Sequence, residues 1–144
     1  MGRQGLNLIK LCVGAESVED LAEWQAARIA ETGSTPAHVT RMWPRKADEL
    51  LAGGSLYWVI KGFVLCRQRL VGLEPREGAD GVRRCALMLD REIVRTAAAP
   101  RRPFQGWRYL RAADAPRDLG AEAGAARSEL PPALLAGLDA VGVL

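Results

Sequence analysis

From Leu6 to Val13 apolar and polar positions alternate in part, which predicts a strand with one buried face, ended by Gly14. Beyond it, Val18, Leu21, Ala22, Gln25 or Ala26, and Ile29 recur at steps of three and four, the period of an amphipathic helix. Ser17 stands where an N-cap accepts a backbone N–H, and Glu19 and Asp20 suit the positive end of the helix dipole. Gly33 supplies the stop after Glu31, and Ser34-Thr35-Pro36 connects to a short strand from Ala37 to Met42. Pro44 is placed for the first turn of a brief helix that runs through Leu50-Leu51 and halts at Gly53-Gly54.

The strongest strand signal follows. Leu56 to Ile60 and Phe63 to Cys66 are nearly continuous apolar runs flanking Lys61-Gly62, a two-residue hairpin turn. The second strand continues through Arg67-Gln68-Arg69 to Leu73, a polar loop spans Glu74 to Gly81, and another strand runs from Val82 to Leu89. Ile93-Val94 adds a short element before Pro100. From Asp114 to Ser128 Ala, Gly and charge dominate with no apolar period, which predicts a loose loop. Leu130-Pro131-Pro132 then introduces a last helix carrying Leu134, Leu135, Leu138 and Val141. This order predicts an α+β fold: a mostly antiparallel curled sheet or pseudo-barrel with flanking helices and a C-terminal helix. Residues 1–113 form the barrel-like body, and residues 114–144 a loop plus a helix packed on the same domain.

Composition narrows the picture. At 144 residues and 49% hydrophobic, one ordinary domain can bury roughly 70% of the surface its unfolded chain exposes, without a disulfide or metal staple. The net charge is only +3, but residues 1–113 hold 18 basic against 12 acidic side chains, and residues 114–144 hold 2 against 5. Of the 20 basic residues 17 are Arg, which GC-rich coding DNA alone would favour, so their positions carry more information than their number. Cys12, Cys66 and Cys85 form no CxxC pair and an odd set, so they read as reduced thiols of a cytoplasmic protein. Asn7 and Lys10 interrupt what would be a signal-peptide core, and Lys10 disfavours a lipoprotein cleavage site at Cys12. The longest apolar run, Leu56 to Cys66, contains Lys61 and falls short of the ~20 residues that cross a bilayer, so no membrane association is expected.

The richest chemistry lies in Arg101 to Arg111, where four arginines and three aromatics occupy eleven residues without an acid. Guanidinium groups grip phosphate as planar forks, and aromatic faces stack on bases. Arg101, Arg102, Trp107, Arg108 and Arg111 are the candidates there. Two further clusters extend the set. Arg41, Trp43, Arg45 and Lys46 follow the second strand, while Lys61, Arg67 and Arg69 belong to the hairpin, the last two on one face by the two-residue period. Trp58, inside a continuous apolar strand, reads as core. His38 is the sole histidine, which excludes triads and multi-histidine metal sites, so no metal, cofactor or catalytic residue is expected. Glu16, Glu19, Asp20 and Glu23, with Asp48 and Glu49, read as solvated helix faces. Gly53-Gly54 and Gly78-Ala79-Asp80-Gly81 match no phosphate-loop pattern.

Several stretches, among them Leu8 to Gly14, Asp20 to Gln25, His38 to Arg45, Gly54 to Gly62 and Arg102 to Leu110, resemble an uncharacterised family of small proteins. That family is found mainly in alphaproteobacteria and is catalogued as a domain of unknown function. The resemblance implies a bacterial cytoplasmic protein and brings no activity. At the level of architecture alone, the element order is similar to the PUA-like pseudo-barrels, which include ASCH and EVE domains and bind RNA or modified nucleotides. The leading expectation is therefore a non-catalytic module that binds RNA or a modified base in a basic, aromatic-lined groove. One alternative is a small hydrolase acting on a modified nucleoside, for which Lys61, Thr40, His38 and Glu74 are the polar candidates. The other is a protein-interaction module.

Overall fold

The run Leu56–Ile60 is apolar without alternation because its strand is buried on both faces. Around it, the computed structural model describes residues 5–119. The elements are β1 (Leu6–Leu11), α1 (Val18–Thr32), β2 (Ala37–Thr40), α2 (Ala47–Leu51), β3 (Ser55–Ile60), β4 (Phe63–Glu77), β5 (Arg83–Leu89), β6 (Val94–Pro100) and β7 (Trp107–Arg111). A 3-10 turn, Ala112–Asp114, follows β7. The strands form one mixed sheet in the order β2-β5-β4-β3-β1-β7, with β6 paired to β4. The sheet does not close, so the expected barrel is an open α+β sheet.

Local signals set the first elements. The Ser17 hydroxyl accepts the Asp20 N–H at 3.0 Å, and the Gly33 N–H reaches the Ile29 carbonyl at 2.7 Å, so α1 starts and stops where its caps stand. Val18, Leu21 and Gln25 turn inward. At the β3–β4 turn Lys61 and Gly62 both have positive φ, 52° and 87°, the conformation that lets a two-residue hairpin follow the strand twist. Gly54, at the entry to β3, has its backbone against α2 and β1. A Cβ there would collide with the carbonyl oxygens of Leu6 and Leu50.

Two apolar layers result. On one face Leu8, Leu56, Trp58 and Ile60 pack with Val18 and Leu21 of α1, and on the other Ile9, Tyr57, Val59, Val64 and Leu110 form a smaller cluster. Each fully buried Leu or Val among them contributes about 2 kcal/mol of transfer free energy.

The structure departs from the sequence reading elsewhere too, and the short helix expected from Pro44 starts only at Ala47. β1 and β3 pair in parallel, Leu8 opposite Leu56, with α1, β2 and α2 as the crossover. β4 runs on to Glu77 where a loop was expected. Its exposed end has no buried face to impose a period, and the ladder to β5 holds it instead. The short element at Ile93-Val94 is a seven-residue strand, Val94–Pro100, on β4. Finally, the chain past Asp114 is not wholly loose, because the Leu119 N–H reaches the Arg95 carbonyl and the Ala97 N–H that of Arg117. The expected C-terminal helix and the rest of that loop lie outside the described residues.

Candidate nucleic-acid interface

β7 is paired to β1 and lies at the end of the strand order, so its alternating side chains decide what the edge presents. Trp107 and Leu110 are buried, whereas Arg108, Tyr109 and Arg111 are exposed. Trp107 is a core residue at 5% exposure. Its indole N–H donates to the Met42 carbonyl at 2.8 Å, and its ring meets Tyr109 edge-to-face at 4.9 Å. The Tyr109 hydroxyl in turn accepts the N–H groups of Arg45 at 2.8 Å and Lys46 at 3.3 Å. These bonds pin the segment from Met42 to Lys46 onto β7 across more than sixty positions of chain.

The pinned segment brings two of the three basic clusters together. The Lys46 ammonium lies 5.8 Å from the Tyr109 ring, and the Arg108 guanidinium lies 5.4 Å over Phe104. By strand alternation these pairs flank the edge on opposite sides. Arg101, Arg102 and Arg108 line an open concavity of about 840 Å³ together with the rings of Phe104 and Tyr109 and one acid, Asp114. Arg41, Arg45, Lys46, Arg101, Arg102 and Arg108 are all exposed, and among the described residues none has an ion-pair partner. Unpaired guanidiniums keep all their donors for a ligand.

Other predicted residues serve the fold. Arg67 grips Asp118 through two hydrogen bonds of 2.8 and 2.6 Å and reaches the Ser55 hydroxyl at 2.8 Å, so it belongs to a polar cleft that Leu6, Asn7 and Ala112 also line, at the far end of β7 from the basic concavity's Arg101 and Arg102. The Asp118 bonds raise its pKa further. Arg69 is exposed at the β3–β4 pair, opposite Ser55. Lys61 pairs with Glu16 at 3.6 Å, and Arg111 with Asp114 at 3.4 Å. Trp43 is half-buried beneath the Arg83 guanidinium, 5.2 Å from its ring. Trp107 thus offers no stacking face, because its polar atom is satisfied inside and its ring fills the core. The exposed rings of the edge are Tyr109 and, in part, Phe104. A third ring escaped the sequence reading: Trp24 is 56% exposed with Arg28 5.4 Å over it. The signal was present, since Trp24 falls off the Val18–Leu21–Gln25 stripe.

The polar candidates for hydrolysis do not converge. His38 lies inside β2 against Trp58, rings 5.7 Å apart edge-to-face. Thr40 accepts the Met42 N–H, Glu74 lines a separate groove beside α1, and Lys61 sits at the hairpin turn. Burial pushes the thiols up, Cys12 to about 11 and Cys66 to about 12, with Cys85 raised as well, so all three stay protonated. Among the described residues no three His, Cys, Asp or Glu side chains gather around a metal position.

Burial, helped by the Lys10 charge, lowers the His38 pKa from its ordinary 6.5 to about 4. The unfolded chain therefore binds this proton first as pH falls. Stability from the neutral imidazole is present above pH 6.5 and lost on descent to about pH 4, about 3 kcal/mol in all. Urea midpoints across that window should show the slope, and His38→Phe, which keeps the ring contact, should flatten it. An unchanged slope in that variant would assign the effect elsewhere.

These features define an α+β protein with an open mixed sheet and a basic, ring-bearing sheet edge. The chain belongs to the family described as "Protein of unknown function (DUF1489)", whose model matches residues 8–144. No curated protein and no solved structure matches the chain. Among the described residues no helix is long and apolar enough to cross a membrane.

Proposed function

We propose that this protein is a non-catalytic nucleic-acid-binding module, for RNA or a modified base, and that the β7 edge is its contact surface. One observation carries the reading: the Arg45–Lys46 segment is hydrogen-bonded to Tyr109, beside a concavity lined by Arg101, Arg102 and Arg108. Phosphates would meet the exposed guanidiniums, and unpaired bases would stack on Tyr109 and Phe104. The edge location adds support, because a strand edge crowded with cations resists pairing with another chain yet leaves backbone and rings accessible. Kinship of the open sheet with PUA-like pseudo-barrels belongs to this reading, supported by the mostly antiparallel order and the long β4 shared between β3, β5 and β6. So does a cytoplasmic setting, which suits three free cysteines.

Fluorescence anisotropy with a short labelled single-stranded RNA, its DNA counterpart and a neutral-backbone analogue tests it. Five engaged cations predict a slope of log affinity against log salt of roughly −3 to −4 for the RNA, and no binding of the neutral analogue. Absence of salt-sensitive binding at low ionic strength removes the reading.

A further inference from the structure

A second concavity lies away from the basic edge concavity, where β1 runs into α1. It holds about 310 Å³, within the range of small-molecule pockets. Leu11, Leu21, Trp24 and Trp58 supply an apolar wall, with the protonated Cys12 thiol beside them. The wall is held in place. The Trp58 indole N–H is fixed to Gln68 at 2.9 Å, and the Cys12 N–H clips the end of β1 to the Val59 carbonyl at 2.8 Å.

Two nitrogen-bearing polar side chains, Lys10 and His38, line this apolar space together with one carboxylate. Both are half-buried, and among the described residues neither has a hydrogen bond or an ion pair. Lys10 stands on β1 between Trp58 and Trp107 of the neighbouring strands, and among the described residues no carboxylate pairs with it. The one acid in the lining, Asp20, is engaged as an acceptor by the Glu16 N–H at 3.1 Å. An unpaired cation and an unpaired imidazole beside two indoles call for a ligand with one negative charge and a flat apolar body. A second negative charge would face Asp20.

We propose that this pocket binds a small aromatic monocarboxylate, its carboxylate on Lys10 and His38 and its ring against Trp24 and Trp58. The site is independent of the nucleic-acid reading. At neutral pH His38 donates an N–H to the carboxylate as an uncharged imidazole, and Lys10 supplies the charge. The pocket admits one or two fused rings.

The test uses 2-naphthoate, with 2-naphthamide as the uncharged match and acetate as the ring-free one, followed by calorimetry and by the ring-proton resonances of His38. Because His38 is the sole histidine, its signals need no assignment. Naphthoate should bind saturably, about tenfold tighter than naphthamide, as a charge-assisted hydrogen bond predicts, and should shift the His38 resonances. Acetate should bind far more weakly. Lys10→Met, which keeps the stem, should make the two naphthyl ligands equal, and Lys10→Arg should restore the preference. Trp24→Ala, at an exposed position, should weaken both. Equal affinities in the native protein, no saturable binding, unmoved His38 signals, or a preference that survives Lys10→Met each overturn the proposal. Glutamate substitutions at Arg101, Arg102 and Arg108 should leave naphthoate binding intact, which separates this site's failure from that of the β7 edge.

Discussion

Glutamate at Arg101, Arg102 and Arg108 together should lower affinity for a short single-stranded RNA by about a hundredfold or more near 0.1 M salt. Counterion release sets the figure: three lost phosphate contacts at about 0.7 ions each amount to two decades at that concentration. The slope of log affinity against log salt should flatten by about 2 units. The three side chains are exposed and, among the described residues, without ion pairs, so thermal melting should scarcely move. Anisotropy and melting curves on the same samples separate loss of binding from loss of fold. Arg69→Glu is the internal control, since it alters an exposed guanidinium at the β3–β4 pair and should change affinity little. A triple variant that binds like the native protein would take the site away from β7.

The largest effect on stability should come from Gln68. It is fully buried, and its amide uses every bond it can make. Its oxygen accepts from the Trp58 indole at 2.9 Å and from Gln25 at 2.8 Å. Its nitrogen donates to Gln25 at 2.7 Å and to the Asp90 carbonyl at 2.9 Å. This knot ties α1 to β3, β4 and the turn after β5. Gln68→Met, which nearly conserves volume, should cost about 4 kcal/mol, because it strands the Gln25 amide, the indole N–H and a backbone carbonyl in the core. Gln25→Leu added to Gln68→Met should cost less than the sum of the two single changes, since it removes the groups left without partners. Urea midpoints for the four proteins give the coupling. Strictly additive losses would show that the two amides act separately.

The unequal fate of the arginines has a geometric cause. Arg67 and Arg69 share a face by the period of two, as the sequence implies, but only Arg67 meets Asp118. Asp118 arrives from a segment fifty-one positions later that adds to β6, and no local pattern announces that meeting. In the same way Trp43 and Trp107 looked equally able to face solvent, each beside Pro or Gly and Arg. Trp107 went inward because its N–H finds the Met42 carbonyl, and Trp43 lies under Arg83. The aromatic residue with the greater exposure is Trp24, which sits off a helical stripe that was itself legible.

What the chain determined by itself is whatever depends on neighbours a few residues away. The helix from Ser17 to Gly33, the turn at Lys61-Gly62 and the doubly buried β3 follow from caps, positive φ and unbroken apolarity. The clustering of cations and rings between Arg101 and Arg111 is equally plain in the sequence. Tertiary structure decided the rest: the parallel pairing of β1 with β3, the strand made of Val94–Pro100, the open sheet, and the docking of Met42 to Lys46 against Tyr109. Each of these depends on a hydrogen-bond partner tens of residues distant, and a backbone ladder accepts almost any side chain that does not block it.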